Sequence, residues 1–164
     1  MKMSEGVEWA LHGCLNLAWA EEGEDARAVP AAVLARMYEL PPAYLNKQLQ
    51  ALARAGIVGS TSGPRGGFRL ARSPREITLL DVVVAIEGAD EAFRCTGILG
   101  QGPDGDPSVD YRKTCVISQT MRRAELRWRR ELAGQTLADI MTTVRERFPA
   151  VPGETRDRLA NLRP

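Results

Sequence analysis

Aromatic residues are scarce, at 5% of the 164-residue chain. That points to helices packed through Ala, Leu and Val and away from a large aromatic-lined pocket. Long apolar runs are missing as well: the stretch at 82–86 is far below the ~20 residues that span a bilayer. Glu5 and Glu8 fall where the apolar region of a secretory leader would run, so a cytoplasmic location of bacterial type is expected, with no membrane partner. Histidine occurs once, at His12. With no second histidine and no nucleophile motif, and with 63–67 lacking the Gly-Lys-Ser/Thr ending of a phosphate-binding loop, no enzyme is expected. Three cysteines in such a chain read as metal ligands, redox-active thiols or core residues, not as a disulfide framework.

One further absence is local. No acidic residue occurs between Ala43 and Arg75, whereas Lys47, Arg54, Arg65, Arg69, Arg72 and Arg75 are basic. Acidic residues gather instead at Glu21, Glu22, Glu24 and Asp25. A basic stretch in a chain of net charge +1 is what a phosphate-binding face leaves in a sequence, although a plainly solvated face has the same composition. The length allows one domain, or a small domain with an arm.

Apolar residues at Val7, Ala10, Leu11, Leu15, Leu17 and Ala18 predict a first helix with Ser4 as its N-cap. A short helix is expected from Pro30 to about Tyr38, and another over 43–55, opened by Pro41-Pro42 and closed by Gly56. Two short helices across a tight turn, the second polar and basic, form a helix-turn-helix. The period then changes to 2: residues 57–60 and 68–70 predict two strands around a turn-rich loop, the wing of a winged helix. Thr78 with Asp81 predicts a capped helix over 79–87 ended by Gly88. Residues 97–110 hold four glycines, two prolines and three aspartates and read as an aperiodic loop between Cys95 and Cys115. A charged helix is expected over 118–132, a restart at Thr136 and Asp139 running to about Arg147, and a fraying tail from Pro149.

Tyr44, Asn46, Lys47, Gln48 and Gln50 crowd the second of the paired helices with hydrogen-bonding groups, followed by Arg54. Asn and Gln can pair with adenine, and Lys with guanine or phosphate. Leu45, Leu49 and Leu52 would anchor the opposite face. In the wing, glycines such as Gly66 allow close approach to a phosphate backbone, and Arg65 and Arg69 are free to meet phosphate or a minor groove.

The segments Val33-Leu34-Ala35, Pro42-Ala43-Tyr44-Leu45 and Leu52-Ala53-Arg54-Ala55-Gly56-Ile57-Val58, the wing at 63–70, and Ile77-Thr78-Leu79-Leu80-Asp81-Val82-Val83 resemble the Rrf-two family of winged-helix repressors, grouped around IscR, NsrR and RsrR. The resemblance implies a homodimer joined by the helices over 118–132, two recognition helices on a pseudo-palindromic operator in double-stranded DNA, and an iron–sulfur sensor. The expected fold is mainly α with a small β-hairpin: a winged helix-turn-helix over 1–90, a cluster-binding loop over 91–117, dimerisation helices over 118–148 and a flexible tail over 149–164.

Many relatives carry three closely spaced loop cysteines, whereas Cys95 and Cys115 here have nineteen residues between them. Two ligands must then come from elsewhere. Glu8 and His12, four apart, share one helix face. The segment Val7-Glu8-Trp9-Ala10-Leu11-His12 looks like that of the RsrR type, which implies a [2Fe–2S] cluster on Glu8, His12, Cys95 and Cys115, the first pair from one subunit and the second from the other. Trp9, between the two ligands, is the expected relay toward DNA. Cys14 turns away from that face and reads as core. The same four residues also suit zinc, and the two loop cysteines suit a metal-free thiol switch.

Overall fold

The computed structural model describes residues 3–23, 26–63, 66–106 and 108–163. Among them are eight α-helices and one antiparallel hairpin. The first helix, α1 (Glu5–Glu21), begins after Ser4, whose hydroxyl leaves the helix end uncapped and donates to Glu87 Oε1 at 2.6 Å, joined by its backbone N–H at 2.8 Å. These two bonds hold the Glu87 carboxyl below its ordinary pKa. Ten residues of α1 are buried, which makes it the central helix. Pro30 precedes α2 (Ala31–Met37), and α3 (Pro42–Arg54) starts on Pro42 with its φ already set for a first turn. Between them Glu39 takes φ +54 and the Leu40 N–H returns to the Ala35 carbonyl at 3.0 Å, so the reversal is a short, closed turn.

The wing pairs β1 (Val58–Thr61) with β2 (Gly67–Leu70) in the register Val58↔Leu70. Val29 bonds Phe68 on the other edge of β2 in both directions at 2.8 Å, adding a one-residue third strand that local periodicity cannot reveal. Gly67 is required there, because a Cβ would come within 2.5 Å of the Val29 backbone. Glu21 ties the wing to α1 by accepting the Leu70 N–H at 2.8 Å. A capping box of Thr78 and Asp81 starts α4 (Leu79–Glu87), which stops at Gly88 with φ +91. Leu17, Leu34, Leu45, Leu49, Leu52, Ile57, Ile77 and Val82 form one core under these elements. Each Leu or Ile so buried contributes roughly 1.5–3 kcal/mol relative to exposure.

The loop from Ala89 contains a 3-10 turn (Ile98–Gln101) and the single-turn α5 (Tyr111–Thr114). It leads into α6 (Val116–Ala133), docked by Arg129, which pairs with Glu125 at 2.9 Å and donates to the carbonyls of Ala89 and Asp90.

Two boundaries differ from expectation. A second capping box, Thr136 with Asp139, starts α7 (Leu137–Arg147), but this helix is no part of a projecting arm. The chain around Thr136 bridges to Thr78, and Leu137 and Met141 enter the core, whereas no residue of α6 joins that core. The expected tail is instead α8 (Val151–Asn161), which lies on α1 and α2 with Pro152 and Leu159 buried, the latter 2% exposed. Its Pro, Arg and Glu content hides an apolar spacing of Val151, Leu159 and Leu162 that meets the core from one side.

Candidate nucleic-acid interface and sensor residues

On α3 the buried stripe is Leu45, Gln48, Leu49 and Leu52, spaced i, i+3, i+4 and i+7. The remaining arc is polar. Asn46, Lys47, Gln50 and Arg54 are exposed and Tyr44 is half-buried. Gln48 departs from the expected base-reading set. It is 8% exposed, and its amide packs so closely on Gly6 of α1 that a Cβ there would sit 3.0 Å from Oε1. Its polarity suggests the outer face, but its helical position places it on the inner one.

In the wing, Arg69 points outward between the buried Phe68 and Leu70. Gly66 is half-buried and shapes the tip, donating its N–H to the Gly63 carbonyl at 2.8 Å, where a Cβ would strike the Thr61 carbonyl. Arg65 lies outside the described residues. Of the other cations in the acid-free stretch, Arg72 is spent internally: it donates to the carbonyls of Gly56 and Glu76 and faces Asp81 at 3.7 Å. Lys47, Arg54 and Arg69 have no ion-pair partner among the described residues. They leave both α3 and the wing with exposed cationic groups, beside hydrogen-bonding ones on α3. Such groups can bind phosphates and read base edges. The acidic cluster is drawn the other way: Glu22 pairs with Arg145 and, at 3.8 Å, with Arg156. Glu24 and Asp25 lie outside the described residues.

The predicted sensor residues fall into two pairs. Glu8 and His12 are exposed one turn apart on α1. Trp9 is half-buried, with its ring centre 5.2 Å from that of Tyr38, and the His12 ring is 5.9 Å from the same tyrosine. Cys95 and Cys115, both partly exposed, line one apolar cavity of about 260 Å³ with Phe93, Ile98, Tyr111 and Ile117. Within one chain the pairs are not brought together: among the described residues no three His, Cys, Asp or Glu side chains could hold a metal ion. Cys14 is fully buried in the core, and burial pushes its thiol up to about 12, which removes it from metal or redox chemistry at neutral pH.

Two residues of this region carry no motif that marks them in the sequence. Asn16, buried on α1, donates its Nδ2 to Tyr38 Oη at 2.8 Å, and Tyr38 packs on both Trp9 and His12. The signal available is the spacing of Glu8, His12 and Asn16, a polar stripe at four-residue intervals on a mostly apolar helix. On α6, Val116 and Ile117 are 72% and 67% exposed, and Met121 and Leu126 are also exposed. No helix among the described residues is long and apolar enough to cross a membrane.

This architecture has counterparts among known proteins. The Rrf2 family model, described as an iron-dependent transcriptional regulator, matches residues 3–143. YffB of Lactococcus lactis, named as an HTH-type transcriptional regulator, is 33% identical over 140 residues, 85% of this chain and 86% of that protein. The chain superimposes on IscR of T. potens with a TM-score of 0.66 at 23% identity, covering 90% of this chain and 91% of that one. CymR of B. subtilis, titled the global cysteine regulator, gives 0.61 at 22%, covering 87% and 98%. These two share the winged-helix fold. The relatives are regulators of transcription and not enzymes, and the chain belongs to the Rrf2 family of helix-turn-helix transcriptional regulators.

Proposed function

We propose that the chain acts in the cytoplasm as a homodimeric, operator-binding repressor. We further propose that its DNA occupancy is set by a [2Fe–2S] cluster on Glu8, His12, Cys95 and Cys115. The observation that carries the sensor is the division of these residues into two accessible pairs, one on α1 and one in the loop cavity. Neither pair suffices alone, and a second chain supplying the complementary pair completes four ligands. The exposed Val116, Ile117 and Met121 of α6 support the dimer, since an isolated chain would leave this apolar surface in water. Two α3 helices related by a twofold axis would then read a pseudo-palindromic duplex through Asn46, Lys47, Gln50 and Arg54, with Arg65 and Arg69 on the backbone.

When bound, such a cluster supplies a one-electron centre of higher potential than an all-thiolate one, because imidazole and carboxylate replace two thiolates. The chain's own residues do the rest. Glu8 and His12 hold α1 from its exposed face, and Trp9 stands between them. Gly6, two residues before Glu8, leans on Gln48 of α3, so a tilt of α1 is felt by the recognition helix.

A second reading, a metal-free thiol switch, is favoured by one observation: Cys95 and Cys115 line the same cavity. Iron, sulfide and zinc analysis of anaerobically purified protein separates the readings. Brown protein with matched iron and sulfide, its visible absorption lost in Cys95→Ala and His12→Ala, is the expected result. Colourless protein with stoichiometric zinc, or metal-free protein with a reversible Cys95–Cys115 disulfide, overturns the cluster.

A further inference from the structure

We infer that Tyr38 is a positioning residue that couples the sensor face of α1 to the recognition helix, an inference that rests on reading α1 as the sensing helix. Tyr38 touches that face at three points. Its ring lies 5.9 Å from His12 at 58° and 5.2 Å from Trp9 at 54°, both tilted arrangements within the favourable range for ring pairs. Its hydroxyl accepts the Asn16 Nδ2–H at 2.8 Å, and Asn16 is 3% exposed, so the ring is clamped from inside the core as well as from the surface.

The other end of the same residue is the turn of the helix-turn-helix. Tyr38 closes α2, Glu39 occupies the left-handed region, and Pro41 and Pro42 lead straight into α3. A proline fixes its own φ and restricts the residue before it, so the link from Tyr38 to α3 has little slack. A displacement of His12 or Trp9 therefore reaches the recognition helix through one rigid side chain and a stiff turn. The Gly6–Gln48 contact, at the other end of α1, is a separate connection.

A double-mutant cycle in metal-free protein tests this without reference to any cluster. The duplex is one selected by the wild type from a random-sequence library, and affinity is read by fluorescence anisotropy. His12→Ala is an exposed change and should alter duplex affinity by at least about threefold beside Tyr38, and by less than about 1.5-fold in the Tyr38→Leu background. An equal change in both backgrounds, or no change in either, overturns the coupling. Should Tyr38→Leu fail to fold, the same cycle on Tyr38→Phe decides, since that ring is freed from Asn16 alone. Loss of half the coupling or more supports the assignment, and full retention overturns it. Iron content and visible absorption of the anaerobic wild type are read in parallel. Absence of iron refutes the cluster and leaves the coupling measured through Tyr38 standing.

Discussion

Arg69 stands at the middle of the wing's return strand, outward between two buried neighbours and without an ion-pair partner among the described residues. Replacing it with Ala removes no core contact, so the unfolding midpoint should hold. What should change is the salt dependence of DNA binding. Each phosphate neutralised contributes about −0.9 to the slope of log K against log[salt], so the proposed dimer, losing two such contacts, should have a slope shallower by ~1.8. Between 50 and 200 mM salt the wild type should thus lose ~12-fold more affinity than Arg69→Ala. Arg72→Ala is the internal control. Arg72 is engaged by Asp81 and two carbonyls, so its loss should lower stability and leave the slope alone. Anisotropy titrations at four salt concentrations on both variants suffice. An unchanged slope for Arg69→Ala, or an equal change for Arg72→Ala, would refute the assignment of the wing to phosphate.

Leu159→Ala should destabilise the protein by about 2–5 kcal/mol in urea unfolding, because it opens a cavity between α8, α1 and α2. A loss under ~0.5 kcal/mol is what a solvated tail would give. In metal-free, reduced protein a thiol reagent at pH 8 should label Cys95 and Cys115 within minutes and Cys14 only after denaturation, by mass spectrometry; native labelling of Cys14 would contradict its burial. The Thr136 side-chain and backbone hydrogen bonds hold the Asp139 carboxyl below its ordinary value of 3.8. A depressed folded-state pKa contributes stability that is present above the unfolded value and is lost as pH falls through the folded one. Thr136→Ala should therefore flatten the stability profile in that acid limb and leave it parallel to wild type near pH 7. A profile parallel throughout would contradict the capping box.

Elements fixed by neighbours in the chain are legible in the sequence: both Thr-x-x-Asp boxes, the stops at Gly56 and Gly88, and the two wing strands. What escapes is set by distant partners. Val29 becomes a strand residue only because Phe68 lies beside it, and α8 is a helix because α1 and α2 offer Leu159 a place in the core. Gln48 has the polarity of a base-reading residue, yet its position one turn from Leu45 and Leu52 puts it on the buried stripe. The four proposed ligands show the same limit. Each half is legible, as an i, i+4 pair on α1 and as two cysteines flanking a loop, yet a single chain leaves the halves apart. Tyr38 contributes no charge or motif, and only the fold reveals that it joins α1 to the turn before α3.

The central claim is that α1 and its ligands govern occupancy of DNA. The most direct measurement is an anaerobic electrophoretic shift assay on one selected duplex, with protein prepared oxidised, reduced and metal-free at matched chain concentration. The account predicts at least tenfold different affinities between two of these states, equivalent to about 1.4 kcal/mol of coupling. Equal affinity in all three would contradict it.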